Sequence, residues 1–384
     1  MKSFKPLQLI AILIPVLLIV SCSKELKKNV DPLSNETRVS MLKSKPAMEV
    51  SASVKVFATG LNNPRGLKFG PDGNLYVAEG GTGGNMLTVG SCTQVVFPVG
   101  PYMGSPTGGR ISKIDANGTR TTVTDQLPSS QANEIIGGDV EGVADVEFVG
   151  NTLYALLAGA GCSHGVANIP NGIVRVEPNG AWTMIADLSA YLMANPVAHP
   201  QPADFEPDGT WFSMINVRGD LYALEPNHGE LVKVTTSGTV SRVVDISDKV
   251  GHIVPTALAY HGNFYFGNLS TFPITGGASK VYKVTPSGQV KEDASGLNTV
   301  LGLVFDQRSR MYVLEMTAGA PFPTPGMGRI VRIEPNGKQT IIATGLSLPT
   351  GMTMGPDGNL YVSNVGLSPA AIGGGQVLQV DITD

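Results

Sequence analysis

Gly70-Pro71-Asp72-Gly73-Asn74-Leu75-Tyr76-Val77 recurs without a change as Gly355-Pro356-Asp357-Gly358-Asn359-Leu360-Tyr361-Val362. The motif joins a tight turn to the start of an alternating aromatic strand. Working outward from it, the aromatic strand returns as Leu153-Tyr154-Ala155, Leu221-Tyr222-Ala223, Phe264-Tyr265-Phe266 and Met311-Tyr312-Val313, which with the two motif copies makes six. A second alternating strand follows each one: Arg110–Ile114, Gly172–Val176, Glu230–Val234, Lys280–Val284, Arg329–Ile333 and Gln376–Val380. Asn-Gly or Ser-Gly dipeptides follow five of these (Asn117-Gly118, Asn179-Gly180, Ser237-Gly238, Ser287-Gly288, Asn336-Gly337). They supply the positive φ that a two-residue hairpin turn needs. The sixth repeat ends at Asp384 with no outer strand, while Val54–Leu61 is an outer-type strand with no repeat before it.

This pattern predicts an all-β fold, a six-bladed β-propeller of four-stranded antiparallel blades. The N-terminal strand, about residues 53–58, completes the last blade and closes the ring, which hides sheet edges. The two identical motifs then fall in the first and last blades, neighbours in space. With 47 Gly and 27 Pro and almost no long helical pattern, the composition suits short strands and turns. Leu188–Ala194 is the one short helix expected, ended by Asn195-Pro196.

The start of the chain carries an address. Lys2 and Lys5 precede an apolar run over Leu7–Val20, too short for a spanning helix and suited to a secretory core. It ends Ile19-Val20-Ser21-Cys22, which resembles a bacterial lipobox. The domain expectation is therefore a lipoprotein signal peptide over 1–21, a flexible tether over 22–52 from a lipidated Cys22, and the propeller over 53–384. A lipid anchor points to the membrane as a partner, in the outer membrane or at the cell surface of a Gram-negative bacterium. Signal and tether each carry +2 of the total charge of −4, leaving −8 for residues 53–384. An acidic domain without a basic cluster argues against nucleic acid. A monomer is expected. After Cys22, Cys92 and Cys162 remain, in loops at matching places of neighbouring repeats; a bridge and a pair of buried thiols are both open readings.

The turns between the inner two strands and the Asn-Gly turns are short and share a face. The remaining connections are mostly long (80–109, 125–140, 158–171, 186–208, 268–279, 316–327, 364–375) and emerge opposite. Insertions confined to one face mark the binding face of a repeat protein. These loops offer Tyr102, Tyr191, Phe272 and Phe322, with Met103, Met316 and Met327, a mix that suits a shallow apolar site for a small molecule, polysaccharide or protein. Packing of the loops on themselves is the alternative.

The aromatic strands end at Glu79, Leu157, Glu225, Asn268, Glu315 and Asn364. Five of these six equivalent positions are polar. Converging near the channel mouth, Glu79, Glu225, Asn268, Glu315 and Asn364 would offer oxygen ligands to a hard cation such as Ca²⁺. Crowded carboxylates would alternatively act as acid or base groups, or each side chain would bond the backbone of an adjacent blade. No catalytic residue is assigned. Gly161-Cys162-Ser163-His164-Gly165 fits G-x-S-x-G but lies in a loop between strands, not at a strand–helix elbow. Arg218-Gly219-Asp220 occupies a hairpin turn. The five histidines show no metal-ligand spacing; His252, just ahead of an innermost strand, is the first to test.

Val254-Pro255-Thr256-Ala257, Tyr265–Pro273, Met311–Glu315 and Asn63–Gly73 resemble the ScyD/ScyE family, named for proteins of the scytonemin gene cluster. The resemblance spans about 54–382. It implies a six-bladed propeller related to NHL-repeat proteins and no established activity. A glutamate stands in the family pattern where this chain has Asn268, a departure that lowers the charge of the proposed ring. More distantly the repeat is similar to those of streptogramin lyase and of gluconolactonase-like and strictosidine-synthase-like propellers, which are metal-dependent enzymes or their relatives. That likeness implies an alternative to a binding or scaffold role: a metal-dependent hydrolase or lyase.

Overall fold

The computed structural model describes residues 52–382, apart from 137–138, 286 and 368–371. The expected signal segment, Cys22 and the tether up to residue 51 lie outside the described residues. The described chain is all-β: six antiparallel sheets arranged as a six-bladed propeller.

Blade one pairs Pro64–Phe69, Leu75–Glu79, Met103–Ile114 and Arg120–Gln131 in sequence order, and blade two pairs Val143–Val149, Thr152–Leu157, Gly172–Val176 and Trp182–Asp187. Blade three runs from Ser213–Val217 to Val240–Asp245, blade four from Pro255–Tyr260 to Val290–Leu297, and blade five from Val300–Phe305 to Gln339–Leu346. Blade six takes three strands from the end of the chain (Gly351–Met354, Leu360–Asn364, Ile372–Asp381) and its outer strand, Ser53–Asn62, from the beginning. The closing register runs from Ser53 opposite Asp381 to Asn62 opposite Ile372. The closing strand is thus longer than 53–58, because Thr59–Asn62 continue the ladder through bulges.

The first blade differs from expectation in a second way. Residues 103–109, which read as loop because of their Gly and Pro, pair with Leu127–Gln131. Bulges absorb the irregular residues, and the ribbon extends far enough for Val140–Glu141 to add a short fifth strand at Ser130–Gln131. Two short helices lie on the same side as these loops. Asp187 caps Leu188–Ala194 by accepting from Ala190 N–H, and Asp245 caps Ile246–Val250 by accepting from Asp248 N–H. Only the first was foreseen.

The repeated motif explains itself in contacts. Asp72 accepts from Asn74 N–H and from the Tyr76 hydroxyl (3.1 Å); Asp357 accepts from Asn359 N–H and the Tyr361 hydroxyl (3.0 Å). Gly73 and Gly358 have φ of 78° and 80°, which the turn requires. A Cβ on Gly70 or Gly355 would lie 2.7 Å or 2.5 Å from the following tyrosine ring. Each tyrosine then packs edge-on against an aromatic residue at or next to the end of the next blade's innermost strand: Tyr76 on Phe148 at 5.0 Å, Tyr361 on Phe69 at 4.9 Å. Turn, ring and blade interface constrain the same eight residues. The six inner strands surround a channel of about 300 Å³, lined by segments that include Gly66–Phe69, Asp145–Glu147 and Leu301–Phe305.

Candidate functional site

The five strand-end residues are held one by one, each in its own blade. Glu79 is fully buried; it accepts from Asn62 N–H (2.6 Å), from Arg110 Nε (2.9 Å) and Nη2 (2.6 Å), and from Ser112 Oγ. Glu315 accepts from Asn298 N–H (2.7 Å) and pairs with Arg329. Asn268 donates to Ile253 O and accepts from Lys280 N–H, and Asn364 accepts from Ser347 N–H. Glu225 accepts from Thr210 N–H (2.9 Å) and His228 N–H (2.5 Å). Every one fastens backbone that leads into or out of its blade. Glu79, Glu225 and Glu315 do not gather into a common ligand set. A strand-end side chain in the second strand turns into the blade interface, where unpaired backbone N–H groups of the incoming connection need acceptors.

The expected aromatic face also divides. Tyr102 is buried beneath the loops of the first blade. Phe272 and Phe322 meet each other at 5.7 Å on the loops of blades four and five, and Tyr191 lies half-buried on the Leu188–Ala194 helix. His252 Nε2 is 2.8 Å from Asp204 Oδ2.

The charged groups that do converge come from three long connections. Glu141 lies just ahead of the innermost strand of blade two, His164 in the 158–171 loop of that blade, and Glu206 in the connection into blade three. His164 Nε2 is 3.4 Å from Glu141 Oε2 and 3.3 Å from Glu206 Oε2. One donor atom from each residue lies within 4.8 Å of the other two. His164 is fully buried, and Glu141 keeps only slight exposure.

Local chemistry fixes each of the three. His164 ends the short 3₁₀ turn Cys162–His164, and Cys162 is bridged to Cys92 with a Cα separation of 6.3 Å. The bridge joins the long loops of blades one and two beside the cluster. Ser163 donates its hydroxyl to Asp208 Oδ2 at 2.6 Å, so an oxygen lone pair faces His164 Nδ1 at 3.2 Å. Nδ1 is therefore the protonated nitrogen, and Nε2 is aimed at the two carboxylates. Tyr102 donates to Glu141 Oε1 at 3.1 Å, and its ring packs against His164, tilted by 53° with centroids 4.6 Å apart. The Thr210 hydroxyl donates to Glu206 Oε2, while its N–H rests on Glu225. His228 Nε2 contacts Glu206 O at 2.9 Å. Glu225, singled out from the sequence as a ligand, thus acts on the cluster through Thr210 and His228. Beside the cluster, Arg65 reaches Asp139 at 3.1 Å and Val140 O at 2.6 Å.

The electrostatics follow from burial. For His164, burial works against the charged ring, but Glu141 and Glu206 outweigh it and push the pKa up to about 10. Burial pushes Glu206 up, Glu141 adds to that, and His164 opposes it. Burial also drives the Tyr102 hydroxyl well above its ordinary value, helped by Glu141. The two carboxylates therefore stabilise a positive charge on the His164 ring.

Sequence inspection passed over His164 because its partners are remote and have no fixed spacing from it. The G-x-S-x-G stretch was the available signal. Its serine is no nucleophile, since it is buried with its proton on Asp208, but the motif does carry the histidine to the cluster.

The fold and this loop-face cluster define a β-propeller with a buried histidine–carboxylate site. Comparison with solved structures agrees on the fold. An oxidoreductase described as a glucose dehydrogenase from Thermus thermophilus superposes with a TM-score of 0.54 at 15% identity, covering 86% of this chain and 100% of that one. A gluconolactonase from Xanthomonas campestris gives 0.52 at 10% identity, over 86% and 89% of the two chains. The PQQ-bound aldose sugar dehydrogenase of Streptomyces coelicolor gives 0.51 at 14%, over 86% and 98%. At such identities the likeness shows the propeller fold alone. No protein-family model matches the chain, and no curated protein matches it.

Proposed function

We propose that this chain is an exported propeller, tethered to the cell envelope through Cys22, that binds a small molecule, polysaccharide or protein through its long-loop face as a monomer. The observation that carries the reading is the cluster of Glu141, His164 and Glu206. Ring closure needs none of the three, yet three separate connections bring them together on the elaborated face. Burying two carboxylates and a histidine costs several kcal/mol unless their interactions offset it, so a use for the site is the simpler account. The lipobox-like Ser21-Cys22 and the acidic propeller support an envelope location and a partner other than nucleic acid. The ScyD/ScyE-like residues support the same general role without adding a ligand.

The test is a thermal-shift screen of sugars, sugar acids, lactones and envelope glycans. A true ligand raises the Tm of the wild type; the rise is lost on Phe322→Ala or Phe272→Ala and kept on Lys338→Ala in the opposite-face turn. Equal loss from substitutions on both faces would refute the reading. A second reading is a metal-dependent hydrolase or lyase; the Xanthomonas neighbour is named a gluconolactonase. A buried imidazole among carboxylates is chemistry that suits it. Calcium, expected from the strand-end oxygens, takes oxygen ligands, whereas an imidazole nitrogen favours a transition-metal dication.

A further inference from the structure

We infer that Glu141, His164 and Glu206 form a binding site for a divalent transition-metal cation of the zinc or manganese class. The inference deepens the reading of the long-loop face but can fail without it, since that face can bind a ligand with no metal.

Three independent features of the geometry point to a cation. The first is direction. Ser163 gives its proton to Asp208, so His164 must donate from Nδ1, and Nε2 faces two acceptors. Neither His164 Nε2 nor Glu141 Oε2 makes a hydrogen bond, although both are buried. Buried polar atoms are rarely left so.

The second is distance. A charge-assisted N–H···O bond closes to about 2.7–2.9 Å. The separations here are 3.4 Å and 3.3 Å. Bonds of about 2.0–2.1 Å to nitrogen and about 2.0–2.2 Å to oxygen, set at the tetrahedral angle, place donor atoms about 3.3–3.5 Å apart. Both nitrogen–oxygen separations match those of ligands around an ion and are longer than the closest charge-assisted bonds.

The third is the outer layer. Metal-bound imidazoles donate their other nitrogen to a fixed acceptor, and ligating carboxylates are themselves hydrogen-bonded. His164 Nδ1 has Ser163 backed by Asp208; Glu141 has Tyr102; Glu206 has Thr210, itself held by Glu225. One nitrogen and two carboxylate oxygens leave at least one position for water or a ligand group. Glu141, the least buried of the three, marks the open side.

The test titrates zinc, manganese and calcium chlorides separately into the chelator-stripped full-length chain, reading bound metal by elemental analysis and Tm by calorimetry. The wild type binds one zinc or manganese ion, and Tm rises by about 5 °C or more at a hundredfold excess over Kd. Glu141→Gln keeps an oxygen for Tyr102, so its Tm in chelator stays near the wild-type value while zinc affinity falls at least tenfold. Tyr102→Phe lowers affinity about tenfold by freeing Glu141. Glu315→Gln, outside the cluster, leaves affinity per folded molecule unchanged. Absence of zinc or manganese binding by the wild type, preference for calcium over both, or wild-type affinity in Glu141→Gln overturns the inference.

Discussion

Replacing Glu79 by alanine exposes what the strand-end residues do. The carboxylate is fully buried and holds Asn62 N–H, Arg110 and Ser112, while Arg110 also donates to Gly60 O. It therefore clasps the closing strand, which ends at Asn62, to the first blade. Removing it leaves a guanidinium with slight exposure and no carboxylate, and a backbone N–H with no acceptor. Breaking a buried pair from one side costs about 3–5 kcal/mol. At about 2–4 °C per kcal/mol for a large domain, Tm falls by roughly 6–20 °C. The double variant Glu79→Ala/Arg110→Met removes the stranded charge and recovers part of the loss, giving a coupling energy of at least about 1 kcal/mol. Urea unfolding of the four proteins measures the cycle. A loss below about 1 kcal/mol for Glu79→Ala, or strict additivity in the double variant, refutes the clasp.

Other outcomes follow from single contacts. A Cβ on Gly66 would lie 1.9 Å from Asp145 Oδ1 and 2.9 Å from its Cα, so Gly66→Ala destabilises by about 3 kcal/mol or more, whereas Gly276→Ala, whose Cβ would meet only Asn298 Oδ1 at an ordinary 3.6 Å, stays within about 0.5 kcal/mol in the same urea assay. Burial in the channel wall pushes Asp145 up to about 7, against the N–H groups of Met214 and Val146 that favour its charge. The folded state then holds this proton more tightly than the unfolded state, so Asp145's contribution is most favourable below about pH 4 and declines as pH rises to about 7. Asp145→Asn gains about 1–2 kcal/mol at pH 8 after allowing for channel water, and nothing at pH 4, by urea unfolding at the two pH values. The Cys92–Cys162 bridge closes a loop across 70 positions, so its reduction costs about 4 kcal/mol of stability in calorimetry and weakens zinc binding, because Cys162 anchors the turn that carries His164.

The architecture was legible because a propeller writes itself locally. Each Asn-Gly turn, aromatic strand and alternating partner strand is a short-range signal repeated around the ring, and the unmatched strand at Val54–Leu61 announced the closure. Residues 103–109 escaped because their Gly and Pro look like loop while a long bulged ribbon tolerates both. The strand-end set was found, with backbone bonding among its readings, but periodicity locates Glu79 or Asn364 along a strand without showing which unpaired N–H it will meet. Tyr102 was read as lining a shallow apolar site, with loop packing as the alternative, and it lies buried as a partner of Glu141. The cluster itself was out of reach. Glu141 stands on a two-residue strand and His164 and Glu206 in irregular connections, and only the packing of blades one to three brings them together.

The most direct measurement is anomalous X-ray diffraction from crystals of the chain grown with zinc, collected on both sides of the zinc absorption edge. The account predicts one peak enclosed by His164 Nε2, Glu141 Oε2 and Glu206 Oε2. A peak among Glu79, Glu225 and Glu315, or an edge-dependent signal nowhere on the long-loop face, would contradict it.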